Sequence, residues 1–249
     1  MNKNYESKYH LLEENYWWFK SRRQIIYQLI QELNIKKDAK ILEIGCSGGA
    51  LIRFLNKKGF NRTSGIDISE DAIKICKKRK IQNVNTMDAR NIKFTNNKFD
   101  LIIASDIIEH IKEDKSALLE WNRILNVNGK MIIFAPAFNY LWSNHDTINR
   151  HYRRYNKKSF LKILNETNFQ VNRISYWNFT IFFPILGLQI LQKNLRLDFQ
   201  KKDRLYKINP IINKLLILLL KIEKKYLHYL NFPIGVSIFA VCKKNIKNE

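Results

Sequence analysis

Cysteine is nearly missing from this chain. The three present, Cys46, Cys76 and Cys242, follow no Cys-x-x-Cys spacing, so neither a disulfide scaffold nor a structural zinc site is expected, and no metal ligands are assigned. That usage fits a reducing, cytoplasmic compartment. Acids are few as well: 22 Asp and Glu stand against 44 Lys and Arg, a formal charge of +22 and a pI near 9.9. Such an excess can attract nucleic acid or an anionic membrane face. Equally, the chain is rich in Lys, Asn and Ile, and its lysines can simply cover solvated faces. The opening residues MNKNYESKYH hold no apolar h-region, so no secretory signal is expected. Long apolar runs are also lacking. Ile174 to Gln192 carries no formal charge, but Ser175, Asn178, Thr180, Pro184, Gly187 and Gln189 dilute it. That argues for an interfacial or substrate-covering element rather than a membrane span.

What is present suffices for a core. The 249 residues are 45% hydrophobic and 12% aromatic, which excludes disorder and suits one compact domain with attachments. Residues 5–33 read as helical: Ser21 and Gln24 have capping-box spacing, and Trp18, Ile25, Leu29 and Leu33 share a face. Short strands then alternate with helices. KILEIG (40–45), TSGIDI (63–68), VNTM (84–87), FDLIIAS (99–105) and KMIIFAP (130–136) are the strands, and a helix over Asp114–Leu125 is closed by Asn128-Gly129. This alternation predicts an α/β, Rossmann-like, doubly wound parallel sheet. A further helix near Lys157–Thr167 precedes two more strands, QVNRISYW (170–177) and GVSIFAVCKK (235–244). Between those strands Asn209-Pro210 opens a helix whose Ile211, Leu215, Leu219, Ile222 and Tyr226 form an apolar stripe, with Lys214, Lys221, Lys225 and His228 on the other side.

Three acids fall at regular intervals. Glu43, Asp67 and Asp88 stand at or just past the ends of the first three strands, about one strand-helix unit apart, and so share the carboxyl rim where such sheets bind ligands. Between the first two lies the small-residue turn Gly45-Cys46-Ser47-Gly48-Gly49, which lets a ligand approach the backbone closely. An acid after the second strand suits ribose hydroxyls, and one after the third suits an adenine amine. Together these describe a nucleoside pocket. The turn is not GxGxxG, Glu43 would repel a pyrophosphate, and no P-loop lysine follows. A ligand bearing an ammonium and a sulfonium fits better.

LEIGCSGG, GIDIS, MDA and FDLIIASDIIEHI resemble the successive motifs of class I S-adenosylmethionine-dependent methyltransferases, over roughly residues 38–177 and 235–244. The resemblance implies a seven-stranded sheet, mostly parallel, with the last strand antiparallel. It implies an N-terminal helical cap (1–36), a cofactor-binding domain (37–177 and 233–249) and an amphipathic helical insertion (178–232). S-adenosylmethionine is the implied cofactor. Glu43, Gly45, Cys46, Ser47 and Gly49 would shape the turn around its amino-acid part. Asp67 and Ile68 would lie at the ribose, Asp88 and Ala89 at the adenine, and Ser105 near the methionine moiety. Ser47 departs from the family's usual middle glycine. YWWF…RR, PAFNYLWSNHD and RHYRRY are similar to methyltransferases associated with surface-polysaccharide and lipid modification.

Methyl transfer rests largely on alignment, and an oxygen nucleophile often also needs a base. His145, Asp146 and His151 follow the fifth strand and are the base candidates, His145 first; the same loop residues could merely pin the loop. His110 reads as structural or cofactor-side. Trp17, Trp18 and Phe19 either line the substrate entrance or pack the helix, and Arg150, Arg153 and Arg154 either bind an acceptor anion or face water. The acceptor is expected to be a small molecule, a saccharide or a lipid-linked compound, modified at oxygen. Residues 178–232, with net charge +7, are expected to act as a lid or to touch the inner face of an anionic membrane. An RNA or DNA acceptor is less favoured: ASDIIEH stands where Asn/Asp-Pro-Pro-aromatic would be, and no cysteine is placed for pyrimidine-C5 chemistry. A non-catalytic module that keeps the cofactor pocket is the remaining alternative.

Overall fold

The computed structural model describes residues 9, 10, 12–194 and 208–245. Residues 1–8 and 11 of the anticipated cap, 195–207 of the anticipated insertion, and 246–249 lie outside them. Helix α1 (Trp17–Glu32) leads into β1 (Ile41–Ile44), α2 (Ala50–Lys57), β2 (Thr63–Asp67), α3 (Glu70–Lys78), β3 (Val84–Thr86) and β4 (Phe99–Ser105). Then come α4 (Asp114–Ile124), β5 (Leu125–Pro136), the short α5 (Asn144–Ile148), α6 (Lys157–Glu166) and β6 (Phe169–Trp177). Helices α7 (Phe179–Asn194) and α8 (Pro210–Leu227) separate β6 from β7 (Ser237–Lys244).

The strand order is β3-β2-β1-β4-β5-β7-β6, with β7 antiparallel to both neighbours and the other pairings parallel. This is the seven-stranded, doubly wound sheet expected. Alternation along the strands builds a core on each face. In β4, Ile102 and Ala104 face one core while Leu101 and Ile103 face the other. In β5, Met131, Ile133 and Ala135 take the first side and Ile132 and Phe134 the second. The first face is covered by Ala117, Leu118 and Trp121 of α4 with Phe160 and Leu164 of α6. On the second face lie Ile25, Ile26, Leu29 and Ile30 of α1 with Leu220 and Leu227 of α8. Chain direction across the sheet reverses between β1 and β4, so the crevice for a ligand opens at their carboxyl ends.

Two local expectations are corrected. The capping-box pair at Ser21 does not start α1: the helix begins at Trp17, and Ser21 is buried within it. Its Tyr16 N-cap supplies no side-chain hydrogen bond; instead the Trp17 N–H donates to Asn213 Oδ1 of α8 at 2.8 Å, a cap brought from far along the chain. Helix α4 ends at Ile124 rather than at Asn128-Gly129, because Leu125 is already extended (ψ 134°) and pairs with Phe99. The apolar stripe anticipated on α8 is turned outward. Ile211, Leu215, Ile222 and Tyr226 are exposed, while Leu220, Glu223 and Leu227 are buried.

Candidate active site

A cavity of about 810 Å³ lies over the carboxyl ends of β1, β2 and β4, ample for a nucleoside cofactor beside a second substrate. Its floor is the turn after β1. Gly45 (φ 73°) and Gly49 (φ 76°) occupy the left-handed region, and Ser47 joins them at φ 49°. A Cβ at Gly45 would collide with the side chain of Ile107, so glycine is needed there for space as well as conformation. Asp67 ties this turn to the end of β2: its Oδ2 accepts from the Ser47 N–H at 2.8 Å and its Oδ1 from the Ser69 N–H at 2.9 Å. Asp67 also lines the cavity, where a carboxylate can accept from ribose hydroxyls.

Gly45, Ser47, Asp67, Ile68, Asp88, Ala89 and Ser105 all stand on the cavity wall. Ile68 is exposed there and, with Met87, offers an apolar face to a base. Asp88 is already engaged: Arg90 donates to both its oxygens and, with its own N–H as well, holds the carboxyl below its usual range. An adenine amine would share that carboxylate with Arg90. Ser105 Oγ accepts from Arg22 Nη1 at 2.8 Å. Glu43, Cys46 and Gly49 lie behind the wall. Cys46 turns toward Cys76 beneath the turn, and Gly49 packs against Ile81 and Cys76. Glu43 is buried with Oε2 unpartnered, and burial pushes its carboxyl well above the carboxylate range. A buried acid without a partner, beside a glycine turn and an acid-lined cavity, fits a ligand that brings an ammonium group; S-adenosylmethionine has one.

At the opposite end the loop after β5 brings its histidines inward. Asp146 is completely buried within α5. Burial opposes its charge, yet the hydrogen bonds from His151 and Arg154 hold its carboxyl below the usual range. Arg154 grips it with Nε at 2.8 Å and Nη2 at 2.9 Å, and the Ser143 N–H donates at 2.8 Å to close a capping box. His151 Nδ1 donates to Asp146 Oδ1 at 2.9 Å, since an ionised carboxylate can only accept. This bond fixes the tautomer and leaves Nε2 with the lone pair. Both His151 and His145 line the cavity, with ring centroids 6.0 Å apart, but it is His151 that the buried carboxylate orients. Asp146 itself does not reach the cavity wall.

Sequence reasoning missed several contributors. Glu109 is buried with Oε2 unpartnered, and burial together with nearby Asp106 raises its carboxyl well above normal. His110 packs edge-on against His151 at 4.5 Å and is pushed down to about 3, by burial first and then by His151. One ligand atom each from Glu109, His110 and His151 falls within 4.8 Å of the others, a spacing a divalent cation can bridge. In the N-terminal segment the aromatic cluster was anticipated at the entrance, but Arg22 was not. Arg22 of α1 donates to Ser105 and Ser237, pairs with Asp106 at 2.9 Å, and lies 4.5 Å from the Trp177 ring. The Arg22-Arg23 pair in the YWWF…RR motif was the available signal. Trp17, Trp18 and Phe19 line the cavity, and Trp18 also packs against Trp177 of β6. Among the arginines, Arg153 pairs with Asp114 and Arg154 with Asp146, whereas Arg150 stands exposed on the cavity rim.

Residues 42–133 match a family model described as a methyltransferase domain. The chain is 31% identical over 160 residues to an uncharacterised protein of Methanocaldococcus jannaschii, covering 63% of this chain and 64% of that protein. It is 24% identical over 152 residues to a ubiquinone biosynthesis O-methyltransferase of Coxiella burnetii, covering 56% and 59% respectively. The matched region thus spans less than two thirds of these relatives' own length. Among solved structures, phosphoethanolamine N-methyltransferase 2 of Haemonchus contortus in complex with S-adenosyl-L-methionine aligns with a TM-score of 0.57 at 22% identity, covering 90% of this chain and 52% of that one. The matched segment, residues 42–133, runs from β1 through most of β5 and includes Glu43, Asp67 and Asp88, so this part of the chain is similar to a methyltransferase domain.

Proposed function

We propose that the protein transfers a methyl group from S-adenosylmethionine to an oxygen of a small-molecule, saccharide or lipid-linked acceptor, with His151 as general base. Bound in the cavity, the cofactor supplies an electrophilic methyl carbon on a sulfonium. The observation that carries the reading is the buried Asp146–His151 pair. Asp146, locked by Arg154, holds the His151 ring by Nδ1, so Nε2 is the nitrogen that accepts a proton from an acceptor hydroxyl. As the ring becomes cationic, the Asp146 carboxylate stabilises it. Arg22 positions Ser105 and Asp106 at the neighbouring wall. The ubiquinone biosynthesis O-methyltransferase likeness favours oxygen as the accepting atom. An acceptor carried on a lipid would bring residues 178–232 against an anionic membrane face.

A screen with radiolabelled S-adenosylmethionine against lipid and saccharide extracts identifies the acceptor class. With that acceptor, His151→Ala lowers turnover by about a hundredfold or more, with cofactor affinity by calorimetry little changed, while His145→Ala has the smaller effect. Equal turnover in His151→Ala and the unmodified protein refutes the base assignment. No binding of S-adenosylmethionine refutes the whole reading.

A further inference from the structure

Helices α7 and α8 turn an apolar surface outward. On α8, Ile211, Ile212, Leu215, Leu218, Ile222 and Tyr226 are about half exposed or more, the first at 67%. On α7, Phe183, Leu188, Ile190 and Leu191 are exposed to a similar degree. Single exposed leucines are ordinary on a protein surface, but a stripe recurring at helical spacing along a whole helix is not. The two helices are joined by a buried acid: Glu223 of α8 accepts from the Phe179 and Thr180 N–H groups, both at 3.1 Å, and from Thr180 Oγ1 at 2.8 Å, so it caps the first turn of α7. With Glu223 buried, the described residues of α7 and α8 expose no acid, whereas α8 carries Lys214, Lys221, Lys224 and Lys225. Among the described residues, no helix is long and apolar enough to cross a membrane.

We propose that this α7–α8 face docks on an anionic lipid bilayer, with the aliphatic stripe sunk into the headgroup region and the lysines against lipid phosphates. The charge argues against the other occupants. A second copy of the chain would set lysine against lysine, a repulsive juxtaposition. Protein interfaces favour arginine and are depleted of lysine, the reverse of the cations on this face. An aliphatic stripe bordered by lysines is the signature of an interfacial helix. The face also adjoins the cavity: Ile185 of α7 lines it, and Gln189 Nε2 donates to the Leu141 carbonyl at 2.9 Å, on the segment leading to α5. Docking there sets the cavity wall near the bilayer surface, where a lipid-linked acceptor resides. The docking itself rests on the helices and not on methyl transfer.

The test is co-sedimentation of the full chain with vesicles of phosphatidylcholine and phosphatidylglycerol in equal parts, and with phosphatidylcholine alone. Binding is expected to the mixed vesicles and to be weak on the neutral ones. The double variant Leu215→Asp/Ile222→Asp, at exposed positions, is expected to keep its melting temperature and its cofactor affinity and to lose sedimentation. Replacing Lys214, Lys221 and Lys225 by Gln should weaken binding about fivefold per lysine at low salt. Absence of binding to the mixed vesicles overturns the proposal, as does unchanged binding by the Asp variant. So does a dimer in analytical ultracentrifugation that the Asp variant dissolves, which would assign the face to a second copy. Cofactor calorimetry on the same samples separates a failure here from a failure of the methyltransferase reading.

Discussion

Glu43 is the residue whose state depends most on the cofactor. Burial, helped by the nearby acids Glu13 and Asp67, pushes its carboxyl above the usual range and so favours the protonated form. An ammonium group brought to the glycine turn favours the carboxylate, so binding should release a proton. The sign follows: below the raised value, affinity for S-adenosylmethionine rises with pH. Calorimetry in buffers of different ionisation enthalpy is expected to show proton release for the unmodified protein and none for Glu43→Gln. The same substitution should not lower the melting temperature of the free protein near neutral pH. A carboxyl whose folded value is raised loses stability as pH climbs above its unfolded value near 4.3, and glutamine removes that loss. Proton release of equal size in Glu43→Gln would place the linkage elsewhere, with the raised carboxyl of Glu109 the next candidate.

At the scale of helices and strands, the clearest device is the remote cap on α1. Asn213 accepts from the Trp17 N–H and donates to the Asn15 carbonyl at 3.0 Å, tying the start of α1 to α8. Loss of a helix cap costs about 1 kcal/mol, so Asn213→Ala should lower unfolding free energy by about that amount in urea titration, with α1 fraying first by hydrogen exchange. This cap also shows where the chain's local signals stop being informative. The strands were legible because their alternation is local, and the acid spacing of Glu43, Asp67 and Asp88 was legible because each strand-helix unit has nearly constant length. The start of α1 was not, since its cap comes from a residue almost two hundred positions away. Periodicity also located the stripe of α8 without showing which side it faced: a helix with apolar residues on one flank and Leu220 and Leu227 on the other can bury either. In the loop after β5, chain position put His145 first among the base candidates. Only the fold of Asp146 onto Arg154 distinguishes His151 from His145.

Across the whole molecule, the N-terminal segment and the nucleotide-binding half of the sheet are clasped together over the glycine turn. Glu13 is buried, accepts from Ser47 Oγ at 3.2 Å and forms an ion pair with Arg79, which in turn donates to the Gly48 carbonyl at 2.8 Å and the His10 carbonyl at 3.2 Å. Burial opposes the charge of Glu13, but the hydrogen bonds from His10 and Arg79 lower its carboxyl below its ordinary value. The serine that departs from the family's middle glycine is therefore the one that holds the clasp. A Cβ on Gly48 would collide with the Glu13 carboxylate and crowd Arg79. Glu13→Gln and Gly48→Ala thus attack one interaction from its two sides. Each is expected to weaken S-adenosylmethionine binding several-fold and to speed proteolysis ahead of α1. Because breaking the clasp once leaves little for the second change to break, the double variant should lose less than the sum of the two. Additive losses would mean that Glu13 and Gly48 act on the turn independently, and unchanged affinity in both would mean that the segment covers the turn without holding its shape.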